Sequence, residues 1–331
     1  MRRGLIRFGK GFGLLLIALL AVFPFLVPDP YFLHMAILFL LWVVLGASWN
    51  LLGGYGGQVS FGHAAFFGVG AYTSSLLFTK AGILPWLGMI LGGIGGVIIA
   101  IPIGFICFRL RGPFFALSML ALSESLRLVA LNWRSLTEGA VGILLPPLFK
   151  SKIPYYYIIL AVAAITLIVI YKVVDSKLGF YLVAIREDQD AAESLGIDTT
   201  TYKVLALLIS AFFTGMAGSF YANYMAYIDP SIVFSIVDIS IAMILVAVRG
   251  GVGTLLGPGV GALVIVVLSE VFRTLFAAAN LIIYGILIIL VILFMPEGVV
   301  GGLKRYLAPR LPKEALHPEA VRAQASGEGP N

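Results

Sequence analysis

Two clusters of polar residues interrupt an otherwise apolar chain. The first is "AIREDQDAAESLGIDTTTY", which brings Arg186, Glu187, Asp188, Asp190, Glu193 and Asp198 close together. The second is "NLLGGYGGQVSFGHAAFFGVGAY" (50–72), carrying Asn50, Gln58, Ser60 and His63. Glu124 and Arg127 stand three apart, on one face of any helix. Asn223, Asp238 and the pair Glu270 and Arg273 complete the set. A polar side chain within a membrane needs a partner or water, so each is a functional candidate. Ser60 beside His63 raises nucleophilic hydrolysis, which requires an exposed nucleophile and oxyanion donors. No other residue supports it: the carboxylates are scattered and no His-Glu-x-x-His occurs. There is no GxxxxGK[ST] phosphate loop, so any ATP must be bound by another chain. The single cysteine, Cys107, lies in an apolar run; it excludes a disulfide framework and argues against a thiolate metal site. Glu124 with Arg127 reads as a self-neutralising pair near an interface. Asn223 and Asp238 fit helix-to-helix hydrogen bonds and substrate contacts equally.

The elements that must position these residues are membrane spans. Of 331 residues, 60% are hydrophobic and 11% charged, against roughly 25% charged in soluble domains. Apolar runs of about 20 residues, the length a bilayer core requires, recur along the chain. β-barrel strands would instead alternate over segments of about 10 residues. The expected fold is therefore all-α and polytopic, with about ten spans at roughly 11–27, 32–52, 61–79, 84–108, 113–131, 154–174, 203–226, 236–249, 254–272 and 279–295. The basic head (Arg2, Arg3, Arg7, Lys10) followed by an apolar stretch resembles a signal peptide, but that stretch ends in Pro28, Asp29 and Pro30 rather than a small-residue cleavage site. It reads as an uncleaved first span with both chain termini cytoplasmic. Arg109, Arg111, Lys172, Lys177, Arg186, Lys203, Arg249 and the tail group Lys304, Arg305 and Arg310 then fall inside, and Lys80, Lys150, Lys152 and Arg273 outside. The least regular spans are 113–131, with its Glu and Arg, and 236–249, short enough to be partial or re-entrant. Residues 1–303 form the transmembrane domain and 304–331 a polar tail, rich in Pro and Gly after Pro309 and expected to be disordered.

The 38 glycines are patterned. Gly53 and Gly57, Gly88, Gly92 and Gly96, and Gly257 and Gly261 stand four apart, a spacing that lets helix backbones approach closely. Two stretches are denser than packing requires: 50–72, and "RGGVGTLLGPGVGA" (249–262), where Gly53-Gly54-x-Gly56 echoes Gly250-Gly251-x-Gly253. Paired Gly/Pro interruptions mark a substrate path of broken helices; loops at the cytoplasmic ends of spans explain them equally well. The candidate path residues are Asn50, Gly53, Gly57, Gln58, Ser60, His63, Gly250, Gly251 and Gly253.

The charged insert, 175–202, is too long for an ordinary connection between spans and reads as ordered. Ala191 and Ala192 favour a helix, Gly196 is placed to end it, and Asp198-Thr199-Thr200 caps the next element. A rigid charged knob suits docking onto a soluble partner; a solvated surface helix is the plainer alternative.

"AIREDQDAAESLGIDTTTYKVLALLISAFFTGMAGSFYA" resembles the coupling segment of LivH/LivM-type permeases, of the branched-chain amino acid group of ABC importers. "GQVSFGHAAFFGVGAYTSSLL" (57–77), "LRGPFFALSMLALSESLRLVALNWRSLTEGAVGI" (110–143), "RGGVGTLLGPGVGA" (249–262) and "FMPEGVVGGL" (294–303) resemble further ordered motifs of that family, over about 40–303, and favour the LivM-like type. The resemblance implies a type II-importer-like permease whose AA-x-x-x-G core, here Ala191, Ala192 and Gly196, forms a coupling helix. It implies that Arg186, Glu187, Asp188 and Glu193 belong to the ATPase-coupling surface. It implies a LivH-like second permease, two cytoplasmic ATPases holding ATP and Mg, a periplasmic or lipid-anchored binding protein, and no cofactor bound by this chain. Residence in a bacterial or archaeal inner membrane, and absence of catalysis and of nucleic-acid partners, follow from the same resemblance. Three places depart from the pattern: Glu138 where a small residue, often Gly, is usual; Arg249 where an apolar residue is expected; and the polar Ser123-Glu124-Ser125. Rival readings are a urea or short-chain amide importer of the same family, a sugar or nucleoside ABC importer, and a stand-alone secondary transporter or channel, which would work without an ATPase.

Overall fold

A computed structural model describes residues 20–27 and 29–275. Helix α1, Pro30–Asn50, is capped by Asp29, which accepts from Tyr31 N at 2.7 Å, and continues as a π-helical turn, Leu51–Tyr55. After a turn come α2, His63–Ala81, α3, Pro85–Cys107, and α4, Pro113–Asn132. A short α5, Arg134–Thr137, precedes strand β1, Ile143–Leu144, and then α6, Ile153–Val174. Proline in the first turn of α1, α3, α4 and α6 costs no hydrogen bond, because that amide has no helical partner. The charged insert forms α7, Lys177–Glu187, and α8, Gln189–Ser194; α9, Thr199–Met225, follows, capped by Asp198. Strand β2, Tyr227–Ile228, pairs antiparallel with β1, Ile143 opposite Ile228. A turn of helix, α10, Pro230–Val233, a π-helical turn, Ile236–Ile241, and α11, Ala242–Gly250, make one broken helix. Helix α12, Gly257–Leu275, closes the described chain.

The protein is an all-α polytopic membrane protein. Among the described residues six helical stretches are long and apolar enough to cross a bilayer: Pro30–Tyr55, Pro85–Cys107, Pro113–Asn132, Ile153–Val174, Thr199–Met225 and Pro230–Gly250. The expected spans at 61–79 and 254–272 are also helical, as α2 and α12. The span at 279–295 and the tail lie outside the described residues, as does most of 11–27. The short span expected at 236–249 is the second half of the broken helix, which reaches membrane length only when α10 and the π turn are counted.

Small residues set the packing at the centre, where lipid and side chain are equally apolar and close backbone approach drives association. Helices α2, α3 and α9 meet at Gly70, Gly92 and Gly215. A Cβ on Gly92 would come within 2.8 Å of Gly70 O, and one on Gly215 within 2.7 Å of Gly92 O. Ser219 Oγ lies 2.9 Å from both Gly70 O and Gly215 O, binding α9 to α2. Gly257 and Gly261 do the same for α12 against α11, where a Cβ on Gly261 would meet Gly250 N at 3.0 Å. The four-residue spacing of Gly53 and Gly57 has another origin. Gly53 lies inside the π turn beneath the Trp49 ring, and Gly57 lies beyond it at φ 68.

The contacts sort the loops to two ends. Lys80 Nζ reaches Ser135 O at 3.3 Å, Lys152 Nζ reaches Pro30 O at 3.1 Å, and β1 pairs with β2 at one end. Arg111, Arg186 and the 251–256 turn meet at the other. These are the basic residues assigned above to opposite sides of the membrane.

Candidate functional site

The two glycine-rich stretches and the charged insert meet in one place. Asn50, the last residue of α1, is buried, and both ends of its amide are used. Nδ2 donates to Thr254 O and Oδ1 accepts from Gly253 N, each at 2.9 Å. The side chain clasps the turn between α11 and α12 from 203 residues away. That turn runs through Gly251 at φ 119 and Gly253 at φ 68, conformations open to glycine. Gly250 abuts Gly257 so closely that any side chain would overlap the Gly257 carbonyl. Gly54 is similarly confined: a Cβ there would overlap the Asn50 side chain and lie 2.7 Å from Gly253 N.

Arg186 ends α7 on this junction. Its Nη1 donates to Gly54 O at 3.1 Å, a carbonyl within the π turn, and Nη2 pairs with Glu187 Oε1 at 2.5 Å. A Cβ on Gly57 would lie 2.7 Å from Arg186 Cγ, and one on Gly253 2.9 Å from Nη1. The guanidinium therefore rests where both interrupted helices are bare backbone. Leu182 and Ile185, buried on the inner face of α7, hold the helix down.

Helix α8 is the knob. Asp188 caps it, accepting from Ala191 N at 3.0 Å, while Ala192 is buried and Ala191 faces out. Gly196, at φ 83, ends it in a Schellman turn: Ile197 N donates to Ala192 O at 3.1 Å and Gly196 N to Glu193 O at 2.9 Å. Glu193 accepts from Thr199 Oγ1 at 2.6 Å, Gln189 Nε2 at 2.9 Å and Arg111 Nη2 at 3.1 Å. Those bonds, Thr199 first, hold its carboxyl below the ordinary value of 4.5. Arg111, from the α3–α4 turn, also pairs with Asp190 at 2.6 Å, which raises its own pKa. Asp198 is held down by Thr201. Beneath the knob, Lys203 is fully buried, its Nζ 3.2 Å from Gln189 Oε1 and 5.3 Å from the centre of the Phe108 ring. In the sequence Arg111 and Lys203 stand only as loop charges, and Gln189 carries no signal of its own. No local pattern announces their partners.

The remaining candidates lie deeper. Ser60 and His63 have 0% exposure. Ser210 spends its one hydroxyl proton on Ser48 O at 2.7 Å, so His63 Nε2 must donate to Ser210 Oγ, also at 2.7 Å. Nδ1 then accepts from Ser60 Oγ at 3.1 Å. The imidazole is neutral and ties α1, α2 and α9 together. The Ser60 hydroxyl is buried within this network, which removes the exposed nucleophile that hydrolysis needs. Gln58 donates to Gly56 O at 3.3 Å. Ser240, in the second π turn, accepts from Ala64 N at 2.9 Å and so satisfies an unpaired amide at the start of α2.

Glu124 and Arg127 form the expected pair, with Arg127 Nε 2.9 and 3.0 Å from the two carboxylate oxygens. Asn223 joins α9 to α2, donating toward Ser74 Oγ at 3.2 Å, whereas Asp238 accepts from neighbouring Ser235 Oγ at 2.6 Å. Glu270 accepts from Tyr31 across α12 and α1. Arg249 is buried and Cys107 is a buried free thiol. Among the described residues no group of three His, Cys, Asp or Glu could hold a metal.

The site is thus a junction of membrane-length helices, two of them broken, that meet beneath a capped, charged knob. The chain belongs to the family of permease components of branched-chain amino acid transport systems, whose sequence model matches residues 31–292. It is 27% identical to the high-affinity branched-chain amino acid permease protein LivM of Salmonella typhimurium, covering 87% of this chain and 74% of that one. It is 25% identical to LivH of the same organism, covering 78% and 91%. A probable LivM of Methanocaldococcus jannaschii is 22% identical over 83% and 94%.

Proposed function

We propose that the chain is the LivM-like permease subunit of an ABC importer for branched-chain amino acids. It would lie in the inner membrane with about ten spans and both termini cytoplasmic, and would pair with a LivH-like permease. Two ATPase subunits would bind ATP and Mg, and a binding protein would deliver the substrate. The observation that carries this reading is the bond from Arg186 to Gly54 O. It connects a docking knob to the place where both broken helices meet. Leu195, 82% exposed, and the exposed carboxylates of Glu187 and Asp190 offer a partner apolar and charged contacts on this segment. When the ATPases close, the 177–196 segment moves as a lever and Arg186 transfers that motion to the π turn. The Asn50 clasp carries it to the 251–256 turn. A ligand or partner shifts such an equilibrium only through contacts that differ between states, and these are the contacts available to differ. The path between the two permeases would then be lined by the small residues of 50–63 and 250–258.

The test is uptake of radiolabelled leucine into proteoliposomes holding both permeases, both ATPases and the binding protein, with and without ATP. ATP-dependent uptake blocked by valine supports the reading. ATP-dependent uptake of urea or a short amide instead keeps the family and moves the substrate. Uptake indifferent to ATP returns the chain to the secondary transporters.

A further inference from the structure

At the end opposite the knob, α2 and the 136–144 segment line an open cleft of about 340 Å³, with Lys80, Glu138 and Leu144 exposed at its rim. That is within the range of small-molecule pockets, roughly 300–1,000 Å³. Its lining is chemically divided. Leu76, Leu136, Ile143 and Leu144 are apolar, while Lys80 and Glu138 bring one charge of each sign. The two charges are not spent on each other: among the described residues they form no ion pair, and the Glu138 carboxylate takes no hydrogen bond. Lys80 is held in place by two backbone carbonyls, Ser135 O at 3.3 Å and Leu136 O at 3.4 Å, which leave its charge uncompensated. Glu138 is one of two non-glycine residues with positive φ among the described residues, at 61°. A glutamate there bears a backbone strain that glycine would not. Strain held at a cleft points to a use for the side chain. One turn below Leu76 on the same helix face, the buried hydroxyl of Tyr72 has no partner among the described residues.

We propose that this cleft is a landing site for a free α-amino acid with an aliphatic side chain, Lys80 taking the carboxylate, Glu138 the ammonium group, and the leucines and Ile143 the side chain. The inference rests on the transport reading above and adds to it a recognition step made by this chain. A zwitterion with an apolar branch is the small solute that matches one cation, one anion and an apolar wall together. Urea and simple amides would leave both charges unpaired, and a sugar would leave the apolar wall wet.

The experiment uses the assembled transporter in nanodiscs, without binding protein or ATP, and measures bound tritiated leucine. Leucine is expected to bind, while leucinamide, which lacks the carboxylate, and 4-methylpentanoate, which lacks the ammonium group, compete about two- to fivefold more weakly, the loss expected of one solvent-exposed charge pair. Lys80→Met and Glu138→Gly should each lower leucine binding by about the same factor. Glu138→Gly also separates binding from folding. It relieves the positive φ, so its thermal midpoint should equal or exceed that of the parent even as binding falls. No leucine binding by the parent, undiminished binding by both variants, or leucinamide competing as well as leucine would each overturn the proposal. ATP-driven leucine uptake, measured on the same parent assembly with binding protein added, keeps the two readings apart. Normal uptake with unaltered variants removes only the cleft, whereas absence of uptake removes the transport reading beneath it.

Discussion

Arg186 Nη1 lies 3.1 Å from the carbonyl oxygen of Gly54, joining residues 132 apart in the chain. The contact is charge-assisted and half-shielded, so removing it should cost about 1–2 kcal/mol at the junction. Arg186→Gln in the assembled transporter is expected to leave the ATPase turning over while leucine uptake per ATP falls severalfold. Uptake and phosphate release measured on the same vesicles check this; a parallel fall in both would mean the arginine serves docking rather than transmission.

The Asn50 clasp makes a second prediction. Asn50→Asp replaces the donor toward Thr254 O with an acceptor and leaves that carbonyl facing an anion. Each buried group left unpaired costs about 1–3 kcal/mol. The thermal midpoint in detergent should drop clearly for Asn50→Asp and Asn50→Ala. An unchanged midpoint for both would show that the 251–256 turn holds itself.

Glycine substitutions should divide by position. Gly215→Ala places a methyl 2.7 Å from Gly92 O, a backbone atom that cannot rotate aside. Overpacking of this kind costs about 1–3 kcal/mol. Gly259→Ala meets nothing within 4 Å and is the neutral comparison. Thermal unfolding of the two side by side tests the packing of α2, α3 and α9; equal midpoints would contradict it.

The knob should respond to acid. The Glu193 carboxyl is held below its ordinary 4.5 by Thr199, Gln189 and Arg111. A group depressed in the folded state adds stability above its unfolded pKa and loses it as pH falls through the folded one. Amide exchange over 189–199, corrected for intrinsic rate, should therefore accelerate below about pH 4.5. Glu193→Gln should flatten that dependence, and a parent profile without any acid limb would refute the assignment.

The spans within the described residues were legible because apolar length and first-turn prolines are local signals, as with Pro85 and Pro113. The knob was legible for the same reason: Asp188, Ala191, Ala192 and Gly196 act on their own neighbours. The stapling of Arg111 to Asp190, 79 residues on, leaves no periodic trace. Nor does the clasp of Asn50 on Gly253. The spacing of Gly53 and Gly57 misled because a helix end can place glycines four apart as readily as a packing face can. Ser60 near His63 was visible, but the partner that fixes the imidazole, Ser210, stands 147 residues away. The positive φ of Glu138 has only its departure from the family pattern as a trace in the sequence.

The hydrogen bonds around His63 run in one direction, from Ser60 to His63 to Ser210 and on to Ser48 O. A chain of donors that ends on a peptide carbonyl has nowhere to deliver a proton. This histidine, fully buried where α1, α2 and α9 meet, is thus wired as a dead end, and its ring offers ion-coupled transport no proton relay.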